Sequence, residues 1–333
     1  MKFCSRCVLP ESFPGIQFDE KGVCNYCNNA SLPDEDRKSE YTKKFEDLLD
    51  SVRGKQEYDV IMAYSGGKDS TYTLHVLATR YKMKILALTF DNGFISPRAM
   101  ENIAHMSDVC GATSMVVRPS FETMKKVFAV AAKEDFYSPK TLDRASSICT
   151  TCIGHVKSLV LKTALQMDIP LAAYGWSPGQ APITSAIMQT SPRMQAMTNK
   201  TVRDLLFRRF PDELKPFFMS DEELKKYPAE RWPINIHPLA FMKYNENDIV
   251  RLIQSLGWVM PKDTDPNSSN CTLNALANHI HREKFGFHPY AWEIAGIVRS
   301  GSMDRHEGIE KTNQPEDARM VQYGAEKIGI TVK

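Results

Sequence analysis

The feature that most constrains this chain is the stretch SGGKDS at residues 65–70, directly after the apolar run at residues 58–64. This order predicts a buried strand, a tight turn and a helix. In such a turn, backbone N–H groups and a helix N-terminus converge on an anion. Two serines add hydroxyl donors, Lys68 adds a positive charge, and Asp69 can orient Mg²⁺ or polar groups. The stretch therefore predicts a site for the pyrophosphate of a nucleotide.

SGGKDS lacks the four-residue spacer of the Walker pattern GxxxxGK[ST]. It resembles instead the PP-loop of the ATP pyrophosphatases, enzymes that split ATP between its α and β phosphates. The resemblance implies that pyrophosphate sits in the loop while AMP is transferred to a substrate oxygen, and that the adenylated carbon then accepts a nucleophile. The alternative is an ordinary glycine-rich turn between a strand and a helix.

Apolar runs alternate with helical patterns after residue 58. Strands are predicted near residues 58–64, 84–90, 114–117 and 169–174, and helices near residues 69–81, 97–109, 121–133 and 153–167. This alternation predicts an α/β fold with a doubly wound, mostly parallel sheet and a site at the carboxyl ends of its strands. The resemblance implies an adenine nucleotide alpha hydrolase-like version of this fold.

Four segments are predicted. Residues 1–30 form a zinc ribbon, residues 31–57 a charged linker with a helix, residues 58–200 the ATP-binding α/β core, and residues 201–333 a mainly helical region. The helical region contributes Cys271 to the site.

The nucleotide site is assigned to residues at these strand ends and in the loop. Lys68 and Asp69 are the candidate catalytic groups. Asp91 ends the second strand, although Asp91-Asn92-Gly93 is equally typical of a simple turn. The segment at residues 173–182 borders AMP or is a plain glycine- and proline-rich connection with a buried tryptophan. The residues predicted to bind the nucleotide are Ala63, Ser65, Gly66, Gly67, Ser70, Phe90, Asp91 and Gly175.

Eight cysteines are first interpreted as metal ligands or reactive thiols. Two CxxC pairs, Cys4 with Cys7 and Cys24 with Cys27, have the spacing of a tetrahedral Zn²⁺ site. Four protein thiolates leave no open position, so the predicted zinc is structural. An iron site or unmetallated thiols are the alternatives.

A second set consists of Cys149, Cys152 and Cys271, with the last at the apparent start of another helix. Three thiolates of this kind can hold a 4Fe–4S cluster and leave its fourth iron open. The alternative is a redox pair plus a buried thiol. The order of motifs is similar to that of iron–sulfur PP-loop enzymes that thiolate tRNA bases. This resemblance implies a cluster here, and it makes Lys157 a candidate catalytic contact to substrate or sulfide.

Both ends of the chain resemble another group, the N-acetyl sugar amidotransferases, which use ammonia from a glutaminase partner. The motifs are CSRCVLP at residues 4–10, FPGIQFD at residues 13–19, GVCNYC at residues 22–27, and residues 292–299 and 303–308 near the C-terminus. The CxxC at Cys149 and Cys152 departs from that pattern. The chain shows no recognisable glutaminase domain, so ammonia would require a partner.

The three-cysteine set is unnecessary for ammonia attack and explains sulfide attack. The prediction is therefore ATP-dependent adenylation of a carbonyl or amide oxygen, followed by sulfur insertion with a 4Fe–4S cluster. The first alternative is an N-acetyl sugar amidotransferase, and the second is a non-catalytic nucleotide-binding module.

Charge and hydropathy limit the partners and the location that the sequence predicts. The 42 basic and 40 acidic residues give a net charge of +2, which favours a small-molecule or sugar acceptor over tRNA but leaves tRNA open. A sulfur donor or a glutaminase is the expected protein partner, and a homodimer is left open. The sequence lacks a signal-peptide pattern and a membrane span, which predicts a cytoplasmic protein. His237, His279, His281 and His288 are expected at the surface or in capping positions.

Overall fold

A single sheet organises the protein. The computed structural model describes residues 1–31, 35–134 and 136–332. The strands in these residues are β1 (Val60–Ala63), β2 (Ile85–Phe90), β3 (Thr113–Val117), β4 (Leu171–Tyr174), β5 (Ile187–Gln189) and β6 (Ile234–Ile236). They form one sheet in the order β3-β2-β1-β4-β6-β5. All neighbouring strands run parallel except β5 and β6, which pair antiparallel.

Helices surround this sheet. The α-helices of the described residues are α1 (Asn25–Asn28), α2 (Glu35–Val52), α3 (Lys68–His75), α4 (Pro97–Cys110), α5 (Phe121–Lys133), α6 (Pro139–Leu142), α7 (Ser147–Met167), α8 (Pro192–Thr201), α9 (Arg203–Phe207), α10 (Pro211–Leu214), α11 (Asp221–Leu224), α12 (Glu246–Ser255), α13 (Asn274–Phe285), α14 (Ala291–Arg299), α15 (Arg305–Asn313) and α16 (Ala318–Ile328). The helix predicted at residues 69–81 changes form, because α3 continues as a π-helix, Val76–Arg80. Within the described residues, every helix is too short or too polar to cross a membrane.

Alternate side chains of β1 enter two different cores. Val60 and Met62 pack with Leu74 of α3 on one face of the sheet. Ile61 packs with Phe128 of α5 on the other face. Because helices cover both faces, the strand is apolar throughout, as is typical of a buried parallel sheet. The prediction of a doubly wound, mostly parallel α/β fold is confirmed.

The strand register brings three loops to one edge of the sheet. Ala63 at the end of β1 pairs with Leu88 of β2 and with Tyr174 at the end of β4. Parallel strands that end together place the loops after them side by side. The SGGKDS loop, the turn at residues 91–93 and the segment after Tyr174 therefore meet at this edge.

The two ends of the chain pack together away from the sheet. A third apolar cluster joins the four N-terminal cysteines to Ile294 and Ile297 of α14. Most of the predicted linker forms α2, while Leu32, Pro33 and Asp34 lie outside the described residues. The sheet also includes β6, which falls within the segment at residues 201–333 that the sequence describes as mainly helical.

Replacing Gly66 by alanine should destabilise the fold more than the same change at Gly111. Both glycines have a positive φ, +72° and +64°, so alanine costs about 1–2 kcal/mol of backbone strain at each position. A Cβ at Gly66 would also lie 2.6 Å from the Ala99 carbonyl oxygen, whereas a Cβ at Gly111 meets nothing within 4 Å. Urea unfolding should show about 1–3 kcal/mol of additional loss for Gly66→Ala. Equal losses would contradict the tight packing described for this turn.

Candidate active site

The SGGKDS loop forms a cradle of donors at the start of α3. Gly67 is the N-cap residue of this helix. The Ser65 and Ser70 hydroxyls lie 3.0 Å apart, and the Lys68 backbone N–H donates to Ser269 Oγ at 3.0 Å. Free N–H groups at a helix start and nearby hydroxyls are what a phosphate group binds. The structure therefore gives the loop the geometry of an anion site.

Residues far away in the chain hold this loop in shape. The Trp258 indole Nε1 donates to the Gly66 carbonyl oxygen at 2.8 Å, and Trp258 is fully buried. On the other side, a Cβ at Gly175 would lie 2.6 Å from Ser70 Cα. The chain leaving β4 thus contacts the backbone of α3 directly, and only glycine leaves room for that contact.

The loop carries two charged side chains, Lys68 and Asp69. Lys68 Nζ is 2.9 Å from Asp69 Oδ2, and the Tyr244 hydroxyl donates to Asp69 Oδ1 at 2.9 Å. Burial acts to lower the pKa of Lys68, but Asp69, Tyr244 and Glu246 outweigh burial and raise that pKa well above its ordinary value. Lys68 therefore stays protonated beside the anion site.

A cavity of about 300 Å³ opens over the loop. Its walls come from the carboxyl ends of the strands, from α7 and from the segment at residues 265–271. This one cavity thus combines the anion site with two of the three cysteines of the second set. The predicted site residues that line it are Ala63, Ser65, Gly67, Lys68, Asp69, Ser70, Phe90, Cys152, Lys157, Gly175 and Cys271.

Three of the residues predicted for the nucleotide site and the second cysteine set do not line this cavity. Gly66 faces α4, where a Cβ would lie 2.6 Å from the Ala99 carbonyl oxygen. The Asp91 carboxylate accepts a hydrogen bond from the Gly93 backbone N–H at 3.0 Å and forms an ion pair with Arg118 at 2.5 Å. These contacts hold the carboxylate outside the cavity lining. Cys149 packs against the same apolar cluster as Cys152 and lies 3.6 Å from the Asn274 side-chain amide.

The three cysteines of the second set form a thiol-rich corner. Burial raises the pKa of Cys149 and raises that of Cys152 to about 12. Burial, and then Cys149 and Cys152, raise the pKa of Cys271. The Asn92 side-chain amide lies 3.2 Å from Cys152 Sγ, and N–H donors of this kind tune the thiolates of iron–sulfur sites.

The soft thiolates of this set are of the kind that a cluster binds. Among the described residues, the four N-terminal cysteines form the one group whose ligand atoms lie within 4.8 Å of one another. Cys149, Cys152 and Cys271 are spaced more widely. A cluster suits that spacing because each thiolate binds a different iron, and soft thiolates are ligands that iron–sulfur clusters select.

Lys157 of α7 is a second cation in the cavity. Its Nζ lies 4.4 Å from the centre of the Trp176 ring, and burial lowers its pKa to about 8. Among the described residues, no carboxylate lies within 4.0 Å of it. An amine of this kind gains most from an anionic ligand.

The expectation of surface positions is wrong for three of the four histidines, although two of these three occupy capping positions. His237 is the N-cap residue of a 3-10 helix, Pro238–Ala240, and His288 Nδ1 accepts from the Tyr290 backbone N–H at the start of α14. His237, His281 and His288 are buried. His237 stacks on Trp176 with ring centres 4.5 Å apart, and His281 packs against Phe287 at 4.9 Å. Burial lowers the pKa of His237 and His281 to about 4. Packing against aromatic rings thus keeps these imidazoles neutral and inside.

Glu293 is a site residue that was not predicted from the sequence. This carboxyl group, on α14, lines the cavity and accepts a hydrogen bond from Ser177 Oγ at 2.6 Å. Burial raises its pKa to about 7. It lies in the segment at residues 292–299 that resembles the N-acetyl sugar amidotransferases, but that segment does not point to the loop, because α14 is distant from the loop in sequence. Ser269 was also missed, although the polar run at residues 265–271 was a signal for it.

The four N-terminal cysteines form a separate, closed centre. Cys4 Sγ lies 3.9 Å from Cys27 Sγ, and Cys7 Sγ lies 3.8 Å from Cys24 Sγ, all of them buried. Burial acts to raise the pKa of Cys4, but backbone N–H donors outweigh it and lower that pKa to about 7. Arg305 donates to the Cys4 and Cys7 carbonyl oxygens. The group fits one tetrahedral metal ion, Zn²⁺ or iron, with no position left for a substrate.

Comparisons with known proteins find remote similarities. No family model matches the chain. An uncharacterized protein of Methanocaldococcus jannaschii is 20% identical over 332 residues, which cover 99% of each chain. A U34-tRNA thiolase from Methanococcus maripaludis, solved with its [4Fe-4S] cluster, has a TM-score of 0.36 and 15% identity over 100% of this chain and 90% of that one. An NMN synthetase from Francisella tularensis has a TM-score of 0.37 and 12% identity, over 89% and 98%. These scores are too low to transfer an activity.

Glu293→Gln should change how stability depends on pH. A glutamate in the unfolded chain ionises near pH 4.3, whereas folded Glu293 keeps its proton to about pH 7. Folded wild type therefore binds the extra proton, and its stability falls as pH rises between these values. Relative to Glu293→Gln, wild type should lose about 1–2 kcal/mol between pH 5 and pH 8, after allowance for exposure to the cavity.

The measurement is urea unfolding at both pH values, with Glu230→Gln as the control because Glu230 is exposed and outside the cavity. The control should follow wild type. If the stability of Glu293→Gln changes with pH as that of wild type does, burial does not raise the pKa of Glu293.

Proposed function

We propose that this protein activates a carbonyl or amide oxygen with ATP, releases pyrophosphate, and replaces the adenylated oxygen by sulfur. The observation that carries the proposal is the shared cavity, which has the SGGKDS loop on one side and Cys152 and Cys271 on another. Activation and nucleophile delivery must occur at the same carbon, so a site for both requires this proximity.

The loop provides the groups needed for the first step. Its backbone N–H groups and the Ser65 and Ser70 hydroxyls bind the β and γ phosphates. Lys68, held protonated, offsets the charge that develops on the leaving pyrophosphate. Asp69 is oriented by Tyr244 and is the group available to hold Mg²⁺.

Lys157 and Glu293 lie elsewhere in the same cavity. Lys157 is placed to stabilise negative charge on the acceptor oxygen or on the α phosphate. Glu293, with a pKa of about 7, can exchange a proton with the acceptor or the nucleophile near neutral pH. Ser177 fixes its orientation through the hydrogen bond to its carboxylate.

Cys149, Cys152 and Cys271 are the residues that would hold a 4Fe–4S cluster. When bound, such a cluster supplies an iron with an open position for a sulfide ligand. Asn92 and Asn274 are placed to donate to the ligating sulfurs. The chain's own contribution is to keep these sulfurs at the wall of the nucleotide cavity.

Amide formation with ammonia from a glutaminase partner is the second candidate. The observation that favours it is the joint packing of the two ends of the chain, which are the segments that resemble the N-acetyl sugar amidotransferases. The N-terminal cysteine module contacts α14, and α14 carries Glu293 into the cavity. Both candidates share the adenylation step and differ in the nucleophile.

Asp69→Asn should reduce pyrophosphate release by about 100-fold or more, because it removes the charge available to orient Mg²⁺. Asp50→Asn, at an exposed position outside the cavity, is the control and should act like wild type. The assay combines ATP, Mg²⁺ and a small-molecule cell extract as the source of acceptor, and measures AMP and pyrophosphate. Formation of ADP and phosphate, or full activity of Asp69→Asn, would contradict the proposal.

Cys271→Ser should abolish the acid-labile sulfide and the iron of this site in anaerobically purified protein, whereas wild type should hold about four irons per chain in this site. Cys110→Ser is the matched control, since Cys110 is half-buried on α4 and outside the cavity. Iron, acid-labile sulfide and zinc are measured together. Wild type with zinc alone would rule out the cluster, and ammonia-dependent turnover by Cys271→Ser would favour amide formation.

A further inference from the structure

A second, larger cleft adjoins the nucleotide cavity. Its volume is about 1320 Å³, and it lies between α2, the segment at residues 178–184 and α14. Gln180 lines both spaces. The cleft and the cavity therefore border each other at Gln180.

The cleft is strongly basic. Among the described residues that line it, Glu35 is the one acid, and it pairs with Lys38 at 2.7 Å. Arg80 pairs with Glu46 at 3.6 Å. Three further cations line the cleft, and these are Arg144, Lys243 and Arg299. Among the described residues, no carboxylate lies within 4.0 Å of any of the three.

Two of these cations converge on one ring. The guanidinium carbons of Arg144 and Arg299 lie 5.5 Å and 5.4 Å from the centre of the Trp292 ring. Arg299 Nη1 is buried and has no hydrogen-bond partner among the described residues. A buried guanidinium N–H without an acceptor costs free energy that a bound anion would offset. The cleft is thus built to receive negative charge at Trp292.

The wall between the two spaces is held firmly. A Cβ at Gly179 would lie 2.0 Å from the Glu293 carbonyl oxygen, and a Cβ at Gly296 would lie 2.8 Å from Gly179 Cα. The loop that carries Gln180 therefore rests directly on α14. This contact fixes the position of Trp292 and Arg299, on the cleft side, relative to Glu293, on the cavity side.

We propose that this cleft binds the phosphate group of a small phosphorylated acceptor, whose reacting carbonyl extends past Gln180 to the ATP site. The assignment as an acceptor site rests on the proposed function. Guanidinium groups pair with phosphate through two hydrogen bonds, and three cations without a carboxylate partner among the described residues suit a dianion. The small net charge of +2 favours a small phosphate ester over RNA, which is bound through many phosphates.

Isothermal titration calorimetry tests the proposal without turnover. The PP-loop is first filled with Mg²⁺ and α,β-methylene-ATP, and glucose 1-phosphate is then titrated, with glucose as its uncharged counterpart. Wild type should bind the phosphate ester and not glucose. The double variant Arg144→Gln/Lys243→Gln should bind it at least tenfold more weakly, since both side chains are exposed and contribute charge without core packing. Lys215→Gln, an exposed position outside the cleft, should match wild type.

Three results would overturn the proposal. In the first, wild type does not bind glucose 1-phosphate. In the second, the double variant binds it as tightly as wild type. In the third, Arg144 and Lys243 change the affinity for a single-stranded RNA 12-mer alone. Thermal melting verifies that the double variant is folded. Failure of ATP cleavage would leave these binding results intact, so the two proposals fail separately.

Discussion

Close backbone contact around the SGGKDS loop is the constraint on which the rest of the structure depends. The Gly66 carbonyl accepts from Trp258, the Lys68 N–H donates to Ser269, and the chain at Gly175 touches α3. Each contact comes from a segment more than a hundred residues away in sequence. The loop can therefore adopt its anion-binding shape only when the sheet and the C-terminal segments have assembled around it.

The same assembly divides the cavity into regions of different chemistry. Lys68 and Asp69 make the loop side charged and polar, whereas Cys152 and Cys271 add thiols that pack against an apolar cluster. In the proposed function, the charged side serves pyrophosphate release and the thiols hold the metal that carries the nucleophile. Glu293 of α14 contacts the loop after β4 through Ser177, near the place where the basic cleft adjoins the cavity.

Local patterns predicted much of this from the sequence. The apolar run before SGGKDS and the alternating helices and strands were sufficient for the parallel sheet, because both signals lie within short windows. β6 was missed since three residues carry too little periodicity, and His237 was misplaced because ring stacking on Trp176 outweighs its polarity. Glu293 depends on contact between distant segments, which one sequence does not show.

Protection of the cysteines by nucleotide tests the shared cavity most directly. Metal-free protein would be treated with iodoacetamide, with and without saturating Mg²⁺ and α,β-methylene-ATP. Mass spectrometry would measure the rate at which each cysteine is alkylated. The nucleotide should slow alkylation of Cys152 and Cys271 and leave that of Cys110, outside the cavity, unchanged. Nucleotide that binds without slowing alkylation at either cysteine would contradict a site in which ATP and the thiols meet.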